Sequence, residues 1–213
     1  MTTLLIATRN SHKVGEIQAI LGNDYRYLTL NEFPEAPEVV EDRDTFAGNS
    51  SKKATGLAEW LAGRADCPEG KVLVLADDSG LEVDVLNGAP GVYSARYAAL
   101  ESGGAGNSPD SENNARLLRE LAETPPEKKT ARFRCVIAAV EVGASGSEAV
   151  TFGGACEGRI QSGPTGGAGF GYDPLFVPEG FEQSFAELGE ETKNRLSHRA
   201  RALEKLKPWL EAR

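Results

Sequence analysis

Two adjacent carboxylates, Asp77 and Asp78, follow the apolar run Val72 to Ala76 and lead into Ser79-Gly80. A short apolar run of this kind reads as a buried strand. Neighbouring residues on an extended chain point to opposite sides, so one acid can face a cleft while the other caps backbone. Carboxylates crowded at the end of a buried strand are costly unless a cation or donors satisfy them. Magnesium suits such hard oxygen ligands, usually one or two carboxylates completed by substrate phosphates. The plain alternative is an Asx-type turn with both acids in water, after which a strand resumes at Leu81 to Val85.

Three further clusters carry chemical potential. Thr8-Arg9-Asn10-Ser11-His12-Lys13 joins an apolar run to a helical pattern. A strand-to-helix turn leaves free backbone N–H groups at a positive helix end, a ready anion site. The plain alternative is that Asn10 or Ser11 merely caps the helix. Gly166 to Pro174 reads GGAGFGYDP. Its glycines allow close approach of backbone to a ligand, Phe170 and Tyr172 could stack on a base, and Asp173 could bond the base edge or the ribose. Lys193-Asn194-Arg195-Leu196-Ser197-His198-Arg199 puts His198 and Arg199 in the first turn of a helix capped by Ser197. Cations there oppose the helix dipole, which calls for a nearby anion or a purpose. Lys52-Lys53 and Ser94-Ala95-Arg96 are weaker signals of the same kind. No G-x-x-x-x-G-K-[ST] and no G-x-G-x-x-G occurs, so neither a Walker A loop nor a Rossmann site is expected.

The elements that must position these residues are read from periodicity. Thr3 to Ala7 is a buried strand. A helix follows through Val14, Ile17, Ile20 and Leu21, ended by Gly22-Asn23, and Tyr25 to Leu30 is a second strand. Phe33 to Asp44 is an acidic surface loop, and Thr45 caps a helix with Phe46, Ala54, Leu57 and Leu61 inward. Gly88 to Gly91 is a turn, Gly103 to Pro109 a loop, and Asp110 to Glu123 a helix broken by Pro125-Pro126. Ala131 to Ala139 alternates as a strand, Gly143 to Gly146 turns, and Ala149 to Phe152 returns. The last helix runs from Ser197 to Leu210, where Pro208 should kink or fray it. Helices interleave with strands early and a hairpin comes later, which predicts an α/β fold on a mixed sheet.

Composition narrows the function classes. Thirty-two acidic residues against 23 basic ones give a net charge of −9, which argues against nucleic acid as a partner. A small anionic substrate remains open, given a local basic cluster. The three cysteines, Cys67, Cys135 and Cys156, carry no pairing or zinc pattern and read as free thiols in a reducing, cytoplasmic setting. The N-terminal apolar run is too short for a signal peptide, and no membrane span is expected.

The order of the motifs is more specific than any one of them. Thr-x-Asn-x-x-Lys at 8–13 is followed by Thr45-Phe46 with Asn49 and Lys53-Ala54. Next come Ala76-Asp77-Asp78-Ser79-Gly80-Leu81, and Gly88 through Tyr97. Gly169-Phe170-Gly171-Tyr172-Asp173-Pro174 and Ser197-His198-Arg199 complete the series. From about residue 3 to 206 the chain resembles the inosine/xanthosine triphosphate pyrophosphatase (RdgB/HAM1-like) family. The resemblance implies a single ITPase-like domain over 1–213: an elongated mixed β-sheet with flanking helices, two lobes and a central cleft, assembled as a homodimer. It implies Mg2+-dependent hydrolysis of ITP, dITP and XTP between the α and β phosphates, which removes these non-standard purine nucleotides from the pool. By the same resemblance Asp78 would be the catalytic acid group and a metal ligand, with Glu41 as second ligand. Thr8, Arg9, Asn10, Ser11, His12, Lys13 and Lys53 would hold the triphosphate, and Ser79 would contact substrate. Phe170, Gly171, Tyr172, Asp173, Lys193, His198 and Arg199 would surround base and sugar. Two departures stand out. Arg9 replaces the small residue common between Thr8 and Asn10. Val40-Glu41-Asp42 leaves Glu41 and Asp42 competing for the metal, with Glu38 more distant. Asp77 is expected to hold the turn. Rival readings are a pyrophosphatase acting on another nucleotide and a nucleotide-binding module without turnover.

Overall fold

A computed structural model describes residues 1–104, 106–144 and 148–213. Six strands form one sheet in the order β2-β1-β3-β4-β5-β6: β1 Thr3–Ile6, β2 Arg26–Thr29, β3 Val72–Val83, β4 Thr130–Glu141, β5 Val150–Ile160 and β6 Phe176–Pro178. β1 runs parallel to β2 and β3, whereas β6 is antiparallel to β5, so the sheet is mixed as the pattern predicts. Among the described residues five α-helices accompany it: α1 Ser11–Leu21, α2 Phe46–Ala62, α3 Asp110–Glu120, α4 Phe185–Leu196 and α5 His198–Glu211. None of the described helices is long and apolar enough to cross a membrane.

The chain resolves into two compact units. The first comprises Met1–Asp78, Cys135–Gly154 and Arg199–Arg213; the second comprises Ser79–Arg134 and Ala155–His198. In the first unit the strands sort their side chains with period two. Leu5, Ala7, Val72, Val74, Ala76, Ala138 and Val140 pack with Ala54, Leu57, Ala58 and Leu61 of α2. Leu4, Ile6, Leu73, Leu75, Cys135, Ile137 and Ala139 pack with Ile17 and Leu21 of α1 and with Ala202, Leu203 and Leu206 of α5. The second unit has its own core, in which Leu81, Val83, Phe133, Phe176 and Phe185 meet Leu117 and Leu121.

The helix boundaries follow their caps. Asn10 Oδ1 accepts from the amides of His12 (2.9 Å) and Lys13 (3.3 Å), and Thr45 Oγ1 accepts from Gly48 N at 3.0 Å. Three points of the sequence reading need correction. The turn predicted at Asp77 to Gly80 does not form, because β3 runs unbroken from Val72 to Val83. Helix α4, unread in the sequence, starts where the Ser184 amide donates to the Glu187 side chain at 2.9 Å, and non-helical Gly189 interrupts its periodicity. The turn read at Gly88 to Gly91 forms, with Gly88 at φ +86° and Gly91 at φ +56°, and short 3-10 turns at Asp84–Leu86, Gly91–Arg96 and Ala98–Ser102 lie around it. Helix α5 continues through Pro208, its last turn held by buried Leu210 and by Trp209 edge-on to Phe152 at 5.5 Å. The turn expected at 143–146 and the loop at 103–109 include residues 145, 146 and 105, which lie outside the described residues.

Candidate active site

The alternation that sorts the apolar residues of β3 continues through its two acids. Odd-numbered Leu73 and Leu75 face α1 and α5, so Asp77 does as well. Even-numbered Val74 and Ala76 face α2, so Asp78 does as well. The two carboxylates stand on opposite faces of one strand and meet different partners.

Asp77 enters a dense ionic cluster. Lys13 Nζ on α1 donates to its Oδ1 at 2.5 Å. Arg199, at the start of α5, donates from Nε to Oδ2 at 2.9 Å and from Nη2 to Oδ1 at 3.3 Å. Its Nη1 bonds Glu16 of α1, and the Cys135 thiol lies 3.0 Å from Asp77 Oδ2. Burial alone would raise the Asp77 carboxyl, but the Arg199 and Lys13 charges outweigh it and hold the group well below the usual carboxylate range. The same carboxylates hold the Arg199 guanidinium charged despite full burial. A cation in the first turn of α5 opposes the helix dipole, and Asp77 and Glu16 are the anions that answer it.

Asp78 has the reverse character. It is 8% exposed, and its Oδ2 has no hydrogen-bond partner among the described residues. Burial and the nearby Glu41 carboxylate push its pKa up to about 6, only partly offset by Lys13 and the neighbouring Asn49 side chain. Of the three rival acids, Glu41 is the one that acts on Asp78. Asp42 is bound to Lys52 at 2.7 Å and Glu38 is exposed. Glu41 itself pairs with Lys53 of α2. Among the described residues no group of three or more His, Cys, Asp or Glu side chains converges. A buried carboxylate oxygen lacking a donor beside a second carboxylate nevertheless fits a hard cation, which takes its remaining oxygens from phosphates and water.

Thr8, Arg9 and Asn10 lead into α1, with half-buried Thr8 accepting at Oγ1 from Asn10 N at 3.1 Å. Arg9, Ser11 and His12 lie at its surface, and Ser79 is half-buried on β3.

The second unit holds the aromatic loop. Asp173 Oδ2 accepts from Phe170 N at 2.8 Å and from Lys193 Nζ at 2.6 Å. Lys193 Nζ also lies 4.3 Å from the centre of the half-buried Phe170 ring. Tyr172 does not share the role read for Phe170. Its ring is buried in the core, its hydroxyl donates to the Ser94 carbonyl at 2.9 Å, and burial pushes the phenol well up. His198 is likewise buried, stacked on Phe133 at 4.8 Å. Two residues of α3 that sequence reading missed clamp the loop. Asp110 Oδ2 accepts from Gly171 N at 2.7 Å, and Asn114 Nδ2 donates to Gly171 O at 3.0 Å. Their polarity suits a helix start, so nothing in the sequence separates clamp from cap. Gly169 has φ +79°, and a Cβ there would sit 2.2 Å from Asp173 Oδ2. Gly169→Ala is expected to cost about 1–3 kcal/mol by strain at that φ, seen as a fall in Tm; an unchanged Tm would show that the loop adapts freely.

Comparison with known proteins agrees in extent with this arrangement. A profile of the Ham1 family matches residues 4–209. The chain is 47% identical over 211 residues to a dITP/XTP pyrophosphatase of Shouchella clausii, covering 99% of this chain and 98% of the relative. A HAM1 protein structure from Coxiella burnetii superposes with a TM-score of 0.83 at 34% identity, covering all of both chains. A nucleoside-triphosphatase / dITP/XTP pyrophosphatase structure from Mycobacterium abscessus gives 0.70 at 36% identity, over 97% of this chain and 99% of that one. With near-complete coverage in sequence and in structure, the chain belongs to the Ham1 family.

Proposed function

We propose that this protein hydrolyses ITP, dITP and XTP to the monophosphate and pyrophosphate, using Mg2+. The observation that carries the reading is Asp78: a buried carboxyl with an unpartnered oxygen beside Glu41, in a family whose curated relatives are dITP/XTP pyrophosphatases. Asp78 and Glu41 would hold the magnesium ion, which when bound supplies charge neutralisation to the phosphate oxygens. Asp78, titrating near 6, is suited to accept a proton from the attacking water at neutral pH. Lys13, Lys53 and the backbone amides of the 8–13 loop stabilise the departing pyrophosphate. Charge-assisted bonds of about 1.5–3 kcal/mol each offset repulsion from an acidic surface. Ser79, next on the strand, contacts the substrate.

Phe170 supplies a stacking face, fixed from below by Asp173, Lys193 and the α3 clamp. Lys193, His198 and Arg199 are the cationic or donor groups that favour a 6-oxo base over the 6-amino group of adenine. Arg199 contributes also through the Asp77 carboxylate it holds. We propose one functional domain over 1–213, acting as a cytoplasmic homodimer without nucleic-acid or membrane partners. The net charge of −9 and the family resemblance support this.

The deciding test is incubation with dITP and magnesium. Pyrophosphate release supports the reading, orthophosphate release moves the cleavage point, and no release refutes turnover. Phe170→Ala is expected to raise KM for dITP by about tenfold, a loss of roughly 1–2 kcal/mol of stacking, with a smaller change in kcat. An unchanged KM removes the stacking role.

A further inference from the structure

We propose that Lys53 is the resident counter-ion of Glu41 in the metal-free protein, and that it gives up Glu41 to the incoming cation and turns to the triphosphate in one exchange of partners. This rests on the reading of Asp78 and Glu41 as the cation site.

The geometry is specific to one of two neighbouring lysines. Lys52 and Lys53 both reach from α2 to the acidic loop before it, Lys52 to Asp42 at 2.7 Å and Lys53 to Glu41. The Lys52–Asp42 pair is open to water, with side-chain exposures of 32% and 56%. The Lys53–Glu41 pair is more shielded, at 21% and 27%. Glu41 is also the carboxylate whose charge reaches buried Asp78. The shielded ammonium therefore stands where it neutralises one of the two acids that a cation would need.

An ammonium and a divalent cation cannot share one carboxylate without strong like-charge repulsion at short range. Lysine is a point charge on a flexible stem with no fixed fork geometry, so it can leave Glu41 and find another anion cheaply. A triphosphate offers that anion. Metal and nucleotide then favour each other's binding: the metal frees Lys53 for phosphate, and phosphate draws Lys53 away from Glu41. The ligand-free site keeps Glu41 paired and binds a bare metal ion weakly.

The test is Mn2+ titration by calorimetry, without nucleotide, into the wild-type chain, Lys53→Met, Lys53→Arg, Glu41→Gln and the double variant Glu41→Gln/Lys53→Met. Thermal melts confirm that each variant is folded. Lys53→Met is expected to bind Mn2+ roughly tenfold more tightly than wild type, and Lys53→Arg to retain weak binding. In the Glu41→Gln background most of the Lys53→Met gain should vanish. Equal or weaker binding by Lys53→Met overturns the exchange, as does a full gain that persists without Glu41. Mn2+ binding by none of the proteins removes the cation site itself and the exchange with it. Binding with unchanged affinity removes the exchange alone.

Discussion

Asp78→Asn is expected to lower kcat for dITP hydrolysis at least about 10³-fold while nucleotide affinity stays within a few-fold of wild type. The substitution is nearly isosteric and keeps the strand, so the lost quantity is the carboxylate. General-base assistance alone accounts for about 10²–10⁴-fold, and a weakened cation site adds to it. Most contacts proposed for the nucleotide lie on Lys13, Lys53, Phe170 and Lys193, which Asp78→Asn leaves in place. Pyrophosphate release and calorimetric dITP binding measured on one preparation decide the matter, and full activity would remove Asp78 as catalyst. The same variant should be the more stable protein when metal is withheld. A carboxyl held near 6 in the fold, against an ordinary 3.8, binds its proton more tightly folded than unfolded. Its contribution is therefore favourable at low pH and is lost as pH rises from about 4 to 6, a cost of about 3 kcal/mol above that window. Asparagine carries no such cost, so metal-free Asp78→Asn should melt about 5 °C or more above wild type at pH 7.5, with little difference at pH 4. An equal or lower melting point at pH 7.5 would show that Asp78 is not strained by its surroundings.

The gain in stability and the loss of activity both trace to one pattern legible in the sequence alone. Alternation on an extended chain puts Asp77 and Asp78 on opposite faces, and the strand obeys it. What the sequence could not say is which helices cover those faces. Lys13 and Arg199 stand 64 and 122 residues from Asp77, and no local pattern joins them. The misplaced turn has a definite cause. Asp-Asp-Ser-Gly is a turn composition, but β3 lies between β1 and β4 in the sheet and its Asp77 is answered from the flanking helices. Tertiary pairing overrides local preference there. Tyr172 shows the converse error: an aromatic in a glycine-rich loop looks available for stacking, yet its hydroxyl has a buried carbonyl to reach and its ring is drawn into the core. The competition among Glu38, Glu41 and Asp42 was open in the sequence because all three share one loop. Glu41 is the one whose charge acts on Asp78, and which acid of a loop reaches a given strand residue is a property of the fold.

Asp77 carries the opposite sign from its neighbour, and its removal is expected to be the most destabilising single change in the site. Asp77→Asn takes one carboxylate from Arg199, which is 1% exposed and also bound to Glu16, and removes the 2.5 Å ionic contact of Lys13. Breaking a buried pair from one side costs about 3–5 kcal/mol, because the surviving charge stays buried. For a chain of this length that corresponds to a fall in Tm of roughly 10 °C. The pH dependence distinguishes this from a general packing defect. A carboxyl held well below its ordinary range contributes stability that is present above the unfolded pKa of about 3.9 and is lost as pH falls through the folded value. The gap between wild type and Asp77→Asn should thus be full at neutral pH and begin to close only below about pH 4, as the wild-type carboxyl takes up its proton. A gap that is independent of pH would assign the loss to shape instead of charge. Asp78→Asn and Asp77→Asn then form a matched pair: one residue apart, the same chemistry, and shifts in neutral-pH stability of opposite direction. A strand can carry that contrast when one of its acids is satisfied by the protein and the other has a buried oxygen without a donor.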